Sequence, residues 1–96
     1  MSTQTIERLT VEQKVTPKQA PKYRVLLHND DEVSAELVVM SLMEVTQLSQ
    51  TKSIEVMMTA HTTGVGLIKI CDLEMAEFYV EGLHSKGVTT TMEPEE

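Results

Sequence analysis

Apolar residues follow two spacings along residues 22–92, and these spacings predict three strands and three helices. Short runs rich in apolar and β-branched side chains are typical of strands, and they cover residues 23–27, 65–71 and 88–92. Elsewhere apolar residues recur every three or four positions, as on one face of a helix, over residues 34–46, 49–61 and 72–86. The predicted order is therefore strand, helix, helix, strand, helix, strand.

Short polar residues and glycines mark the predicted helix ends. Ser49 and Asp72 are predicted N-caps, because a side-chain oxygen there accepts a hydrogen bond from a backbone N–H of the first turn. Gly64 and Gly66 are predicted to end the second helix and turn the chain, and Gly87 to end the third helix. We expect an α+β fold, in which a small three-stranded antiparallel sheet carries three helices on one face.

The first 21 residues differ from the rest of the chain. They mix Thr, Gln, Lys and Glu with isolated apolar residues, so they offer no continuous face to bury, and Pro17 and Pro21 mark their end. We predict a flexible extension over residues 1–21 and one folded domain over residues 22–96. A total of 96 residues suits a single domain with a modest core.

The charge of the chain narrows the classes of partner. It carries 15 Asp and Glu residues against 8 Lys and Arg residues, a formal net charge of -7. Proteins that bind nucleic acid or an anionic membrane surface need a basic footprint, so neither partner is expected. The sequence also lacks an apolar run of the roughly 18 residues that a membrane span needs.

The sulfur-containing residues point to a reducing compartment and an adaptable interior. Cys71 is the single cysteine, so it cannot form a disulfide within the chain, and we expect a cytoplasmic or plastid-stroma location. Seven Met residues beside only three aromatic residues predict a core or pocket that can deform.

An amide and three carboxylates follow the first predicted strand directly, as Asn29, Asp30, Asp31 and Glu32. Hard metal ions bind such oxygens, but the spacing and the distant Glu of a calcium loop are missing. Carboxylates could also act as acids and bases with His61, but no nucleophile, phosphate-binding glycine loop or cofactor motif accompanies them. We therefore predict no metal, no cofactor and no catalytic residue.

A third chemistry is the binding of an ammonium group, whose donors match an Asn carbonyl, a neutral His nitrogen and a carboxylate. The N terminus of a peptide is such a group, because its pKa of about 7.7 to 8.0 keeps it mostly charged at neutral pH. The same four residues could instead only turn the chain and cap a helix. The residues alone leave both interpretations open.

Several stretches together resemble the ClpS family of adaptor proteins. Residues 21–31 join a Tyr-x-Val-x-Leu strand to Asn-Asp-Asp, and Met57 lies in a predicted helix that ends in His61 before a Gly turn, as His61-x-x-Gly64. The resemblance covers residues 21–93. It implies the α+β fold and a function without catalysis, in which the adaptor hands N-degron substrate proteins to an Hsp100-type Clp ATPase for degradation by the associated Clp protease.

The resemblance also implies residue roles. Asn29 and His61 bind the substrate α-amino group, and Asp30 and Asp31 assist. Glu74 matches a residue that docks on the N-terminal domain of a ClpA- or ClpC-type ATPase. The pocket for a bulky first side chain, Leu, Phe, Tyr or Trp, maps to Leu27, Val33, Ala35, Val38, Met57, Ala60 and Val88.

The chain departs from the usual family pattern Asn-Asp-Asp-x-Thr-Pro-Met-Glu at residues 33–35. Val33 stands where a Thr caps the first helix, so we expect Ser34 to cap it one residue later. Ala35 and Ala60 replace the larger Met and Val, which predicts a wider or shallower pocket and altered selectivity among bulky residues. The departures also keep an alternative open, a ClpS-like domain that modulates the Clp ATPase without recognising N-terminal residues.

Overall fold

The computed structural model describes residues 20–95, so almost all of the predicted extension over residues 1–21 lies outside the described residues. The elements are β1 (Tyr23–His28), α1 (Ala35–Thr46), α2 (Gln50–Thr63), β2 (Val65–Cys71), α3 (Leu73–Ser85) and β3 (Thr90–Pro94). This order confirms the order predicted from the apolar spacing.

β1 is the central strand of the sheet, whose order is β2-β1-β3, and it runs antiparallel to both neighbours. On one side Val25 pairs with Lys69 and Leu26 pairs with Leu67, so Ile68 is an extra residue in β2. Such a β-bulge bends a strand locally. Because β1 is held from both sides, the acidic turn that follows it starts from a fixed position.

The core lies between the sheet and the helices. Val25 and Leu27 point from β1 toward the helices and are buried, as their alternation along the strand requires. α2 and α3 pack on the sheet, and α1 packs against both of these helices. The buried apolar residues are Val25, Leu27, Val38, Leu42, Val56, Ala60, Ile68, Ala76, Tyr79, Leu83 and Val88.

All three helices begin at the predicted capping residues. The hydroxyl oxygens of Ser34 and Ser49 each accept a hydrogen bond at 3.1 Å from a backbone N–H of the first turn, and the Asp72 carboxylate accepts one at 2.9 Å. Gly64 ends α2 in the left-handed conformation, with φ of 99°. The cap at Ser34 fixes where α1 starts, and therefore where the turn before it ends.

Two features differ from the prediction. Gly66 lies inside β2 rather than in a turn. A Cβ atom there would sit 2.6 Å from the Val56 carbonyl oxygen, so glycine is needed for β2 and α2 to approach this closely. The third strand begins at Thr90 rather than at Val88. The Val88 N–H donates to the Leu83 carbonyl oxygen at 3.0 Å, so Val88 is held in the turn that follows α3.

Some apolar residues of the helices are exposed, among them Ile54, Met58 and Met75. Ser41 and Ser53 are buried instead, because small side chains let packed elements approach closely. The buried stripes of α1 and α2 are therefore rotated relative to the apolar pattern. Within residues 20–95, no helix is both long enough and apolar enough to cross a membrane.

Candidate functional site

A hollow of about 200 Å³ lies where the end of β1, the start of α1 and the last turns of α2 meet. The turn between β1 and α1 forms one rim of it. The lining residues are Leu27, His28, Asn29, Asp30, Asp31, Val33, Ala35, Val38, Met57, Ala60 and His61. Polar and apolar side chains thus share one small concave site.

Asn29 and His61 lie on the polar side of the hollow although they are far apart in the sequence. The backbone N–H of Asn29 donates to the carbonyl oxygen of Gly64 at 3.1 Å, which ties the turn to the end of α2. The Asn29 side-chain amide donates from Nδ2 to the Asp31 Oδ1 at 3.4 Å. This bond leaves the Asn29 carbonyl oxygen as a hydrogen-bond acceptor, and a neutral His61 ring offers a second acceptor.

Asp30 supplies a negative charge held in a defined position. Its Oδ1 accepts a hydrogen bond from the Glu32 backbone N–H at 3.0 Å, and its Oδ2 accepts one from the Thr89 hydroxyl at 2.9 Å. The Glu32 bond and then the Thr89 bond lower the pKa of the Asp30 carboxyl below its ordinary value. The polar side of the hollow is therefore anionic at neutral pH, which suits a cation.

Aliphatic side chains form the opposite side. Leu27, Val38 and Ala60 are buried, so they form fixed walls. Val33 and Met57 are partly exposed, and Ala35 is exposed at the first residue of α1. An apolar side chain that entered here would lose water contact while a cation attached to it lay against the acceptors.

Eleven residues were predicted to form the α-amino site and the pocket. Ten of them line the hollow, and one does not. Val88 is buried in the core and does not line the hollow, because the backbone bond to Leu83 holds it in the turn that follows α3. His28 also borders the hollow, although sequence reasoning gave it no role there. Its position next to Asn29 in the sequence could have indicated that it borders the hollow. Its ring forms a hydrogen bond with the Thr91 hydroxyl at 2.7 Å.

Thr89 is a further contributor that the sequence did not suggest. It lies between α3 and β3, and its side chain reaches the site by a hydrogen bond to Asp30, 59 residues away in the chain. A threonine in a run of three threonines carries no local sign of such a contact.

Glu74, the predicted docking residue, lies in the first turn of α3 and borders a separate groove. Phe78 in this groove is 59% exposed, whereas the adjacent Tyr79 is 7% exposed and has the Lys69 ammonium 5.5 Å above its ring. The groove has a volume of about 530 Å³ and is lined by Glu74, Glu77, Phe78, Val80, Glu81 and Met92. Three of these side chains are carboxylates around an apolar floor.

Comparison with known proteins identifies the family. Residues 18–92 match the family described as ATP-dependent Clp protease adaptor protein ClpS. The chain belongs to the ClpS family of Clp protease adaptors. Among residues 20–95 of this ClpS chain, no three His, Cys, Asp or Glu side chains are grouped so that they could hold a metal ion.

Curated relatives are similar over most of the chain. The ClpS adapter protein of Synechococcus elongatus is 47% identical over 100% of this chain and 100% of its own length. That of Synechococcus sp. strain CC9902 is 52% identical over 82% of this chain and 77% of its own length. A chloroplastic Clp protease adapter of Chlamydomonas reinhardtii is 44% identical over 80% of this chain and 48% of its own length.

A solved structure has the same fold. Agrobacterium tumefaciens ClpS2, bound to L-phenylalaninamide, matches this ClpS chain with a TM-score of 0.74 and 31% sequence identity. The match covers 80% of this chain and 100% of that one. It confirms the α+β fold predicted from the sequence.

Proposed function

We propose that this ClpS chain is an N-degron adaptor. Its hollow binds the free α-amino group and the bulky apolar first side chain of a substrate protein, which the adaptor delivers to an Hsp100-type Clp ATPase. One observation carries this proposal: acceptors from Asn29, Asp30 and His61 border the same hollow as the aliphatic wall formed by Leu27 and Val38. Phenylalaninamide, the ligand of the related ClpS2, has a free amino group one carbon away from a benzyl group.

The polar side of the hollow distinguishes a free N terminus from an internal peptide nitrogen. An N-terminal ammonium has three N–H donors, which the Asn29 carbonyl, a His61 ring nitrogen and the carboxylates of Asp30 and Asp31 accept directly or through water. An internal peptide nitrogen is uncharged and has one N–H. Each charge-assisted hydrogen bond is worth about 1.5 to 3 kcal/mol, so internal sequences bind much more weakly.

The apolar side of the hollow selects the first side chain of the substrate. Burying a Leu or Phe side chain contributes about 1.5 to 3 kcal/mol, similar to one bond to the ammonium. Neither term gives tight binding alone, so recognition requires both a free N terminus and a bulky first residue. The small side chains of Ala35 and Ala60 leave room for altered selectivity among Leu, Phe, Tyr and Trp.

Delivery needs a second surface, and we assign it to the start of α3. Glu74 and the exposed Phe78 lie on one groove whose remaining charged residues are Glu77 and Glu81, so the groove suits a basic partner surface. The partner is the N-terminal domain of a ClpA- or ClpC-type ATPase. The adaptor performs no catalysis and acts in the cytoplasm or the plastid stroma.

Peptide binding tests the proposal. A fluorescent peptide that begins with Phe is titrated with the protein, and anisotropy is compared with that of the N-acetylated peptide. Acetylation, Asn29→Ala and His61→Ala should each weaken binding about tenfold or more, because each removes a charge-assisted bond. Thr62→Ala is the matched control, since Thr62 is exposed beside His61 and does not line the hollow.

The alternative predicts a different result. A domain that only modulates the ATPase would bind the ATPase N-terminal domain, yet it would not distinguish the free peptide from the acetylated one. Equal affinity for both peptides would overturn the proposed recognition of N-degrons.

A further inference from the structure

Thr89 joins the segment before β3 to the acidic turn through two hydrogen bonds. Its carbonyl oxygen accepts from the His28 N–H at 3.0 Å, at the end of β1. Its hydroxyl donates to the Asp30 Oδ2 at 2.9 Å. Thr89 therefore contacts the residues on both sides of Asn29, although it does not line the hollow.

We propose that Thr89 is a positioning residue for N-degron binding, because its hydroxyl holds the Asp30 carboxylate against the ammonium site. The inference rests on the proposed function. Asp30 is bound at both oxygens, at Oδ1 by the Glu32 N–H and at Oδ2 by Thr89. A carboxylate bound at one oxygen can still rotate about its side-chain bonds, whereas one bound at both oxygens has a fixed plane.

The two bonds leave acceptor capacity for the substrate. An ionised carboxylate has about four lone-pair sites, and the protein occupies one on each oxygen of Asp30. The remaining sites accept from the ammonium or from a bridging water. The Thr89 bond also favours the ionised form of Asp30, and after the Glu32 bond it is the second cause of the lowered pKa of this carboxyl.

Loss of this hydrogen bond should affect ligand binding more than folding, because Thr89 lies at the exposed surface. Exposed hydrogen bonds are easily replaced by water, so the global stability changes little when one is lost. Water does not hold a carboxylate in one orientation, however. The effect of Thr89 therefore appears in ligand affinity more than in the unfolding midpoint.

Conservative variants of Thr89 separate these roles. Thr89→Val keeps the shape and removes the donor, and it should weaken binding of the Phe peptide about three- to tenfold. Thr89→Ser keeps the donor and should bind within about twofold of the original chain. Thr51→Val is the matched control, because Thr51 is an exposed threonine that does not line the hollow. Thermal unfolding of each variant checks that it is folded.

A double-mutant cycle with Asp30→Ala decides whether Thr89 acts through Asp30, because alanine removes the acceptor of the Thr89 hydroxyl. We expect Thr89→Val to cause no further loss in the Asp30→Ala background. An equal loss in both backgrounds, or unchanged affinity in Thr89→Val alone, overturns the inference while the proposed function stands. If the original chain does not distinguish the free Phe peptide from the acetylated one, the proposed function itself fails, and the two failures are thus distinguishable.

Discussion

The backbone N–H of Asn29 donates to the carbonyl oxygen of Gly64 at 3.1 Å, and this bond fixes the turn after β1 against the end of α2. His61 lies three residues before Gly64, so the two proposed ammonium acceptors are held together by the main chain. Side-chain truncation at Asn29 or His61 leaves this bond in place. Such variants should therefore lose affinity without losing the fold, which makes them clean probes of recognition.

The affinity for a Phe peptide should depend on pH in a way that identifies the ammonium. Between about pH 7 and pH 9 the peptide N terminus loses its proton, since its pKa is about 7.7 to 8.0, and binding should weaken about tenfold. Anisotropy titrations across this range measure it. The acetylated peptide is the control, because its weak binding should stay constant, and a constant affinity for the free peptide would contradict ammonium recognition.

Asp30 should make stability depend on pH on the acid side. Its pKa in the folded chain is lower than the ordinary value of 3.8, so its ionised form is favoured by folding. That contribution is present above pH 3.8 and is lost as the pH falls through the lowered pKa. Asp30→Asn should therefore flatten the fall in unfolding midpoint below this pH, and an unchanged slope would contradict the role of the Glu32 and Thr89 bonds.

Local signals in the sequence predicted most of the fold, and long-range contacts explain what it missed. Ser34, Ser49 and Asp72 act on backbone groups within one helical turn, so their roles are visible in the sequence. The role of Gly66 in β2 depends on the close approach of α2. The role of Thr89 depends on its hydrogen bond to Asp30 in a distant turn. Neither contact changes the local pattern of residue types, so sequence reasoning could not find them.

The same distinction applies to the candidate site. The strand, the Asn-Asp-Asp turn and the His61-x-x-Gly64 helix end were recognisable as motifs. The members of these motifs that line the hollow are Leu27, Asn29, Asp30, Asp31 and His61. Val88 was placed in the pocket by resemblance to the family, but in this chain the bond to Leu83 draws it into the core. Its side chain is 2% exposed and does not line the hollow.

Ala35→Met should narrow the hollow and change which first residue is preferred. Ala35 lines the hollow at the exposed start of α1, so a longer side chain can extend over the opening. We expect the affinity for a Trp peptide to fall about fivefold relative to a Leu peptide, because the larger ring needs more room. Leu37→Met is the control, since Leu37 is exposed on α1 and does not line the hollow; an affinity ranking unchanged by Ala35→Met would contradict this prediction.

Gly66→Ala should destabilise the protein by about 3 kcal/mol, the upper end of the range for overpacking. The added Cβ would lie 2.6 Å from the Val56 carbonyl oxygen, so β2 or α2 must shift. Gly87→Ala is the control, because Gly87 has a φ of +85° but open space around it, and its cost should be about 1 kcal/mol of backbone strain. Urea unfolding measures both, and a smaller loss for Gly66→Ala than for Gly87→Ala would contradict the close approach.

The groove on α3 should bind the ATPase independently of the peptide. Glu74→Arg reverses a charge on its rim and Phe78→Ala removes its most exposed apolar side chain, and each should weaken binding of the ATPase N-terminal domain about tenfold. Calorimetry measures this binding, and raised salt should reduce the effect of the charge but not that of the ring.

Glu55→Arg is the matched control, because Glu55 is exposed on α2 and lines neither the hollow nor the groove. If the Glu74 and Phe78 variants also lost affinity for the Phe peptide, the two surfaces would not be separate sites, and the division between recognition and delivery would be wrong.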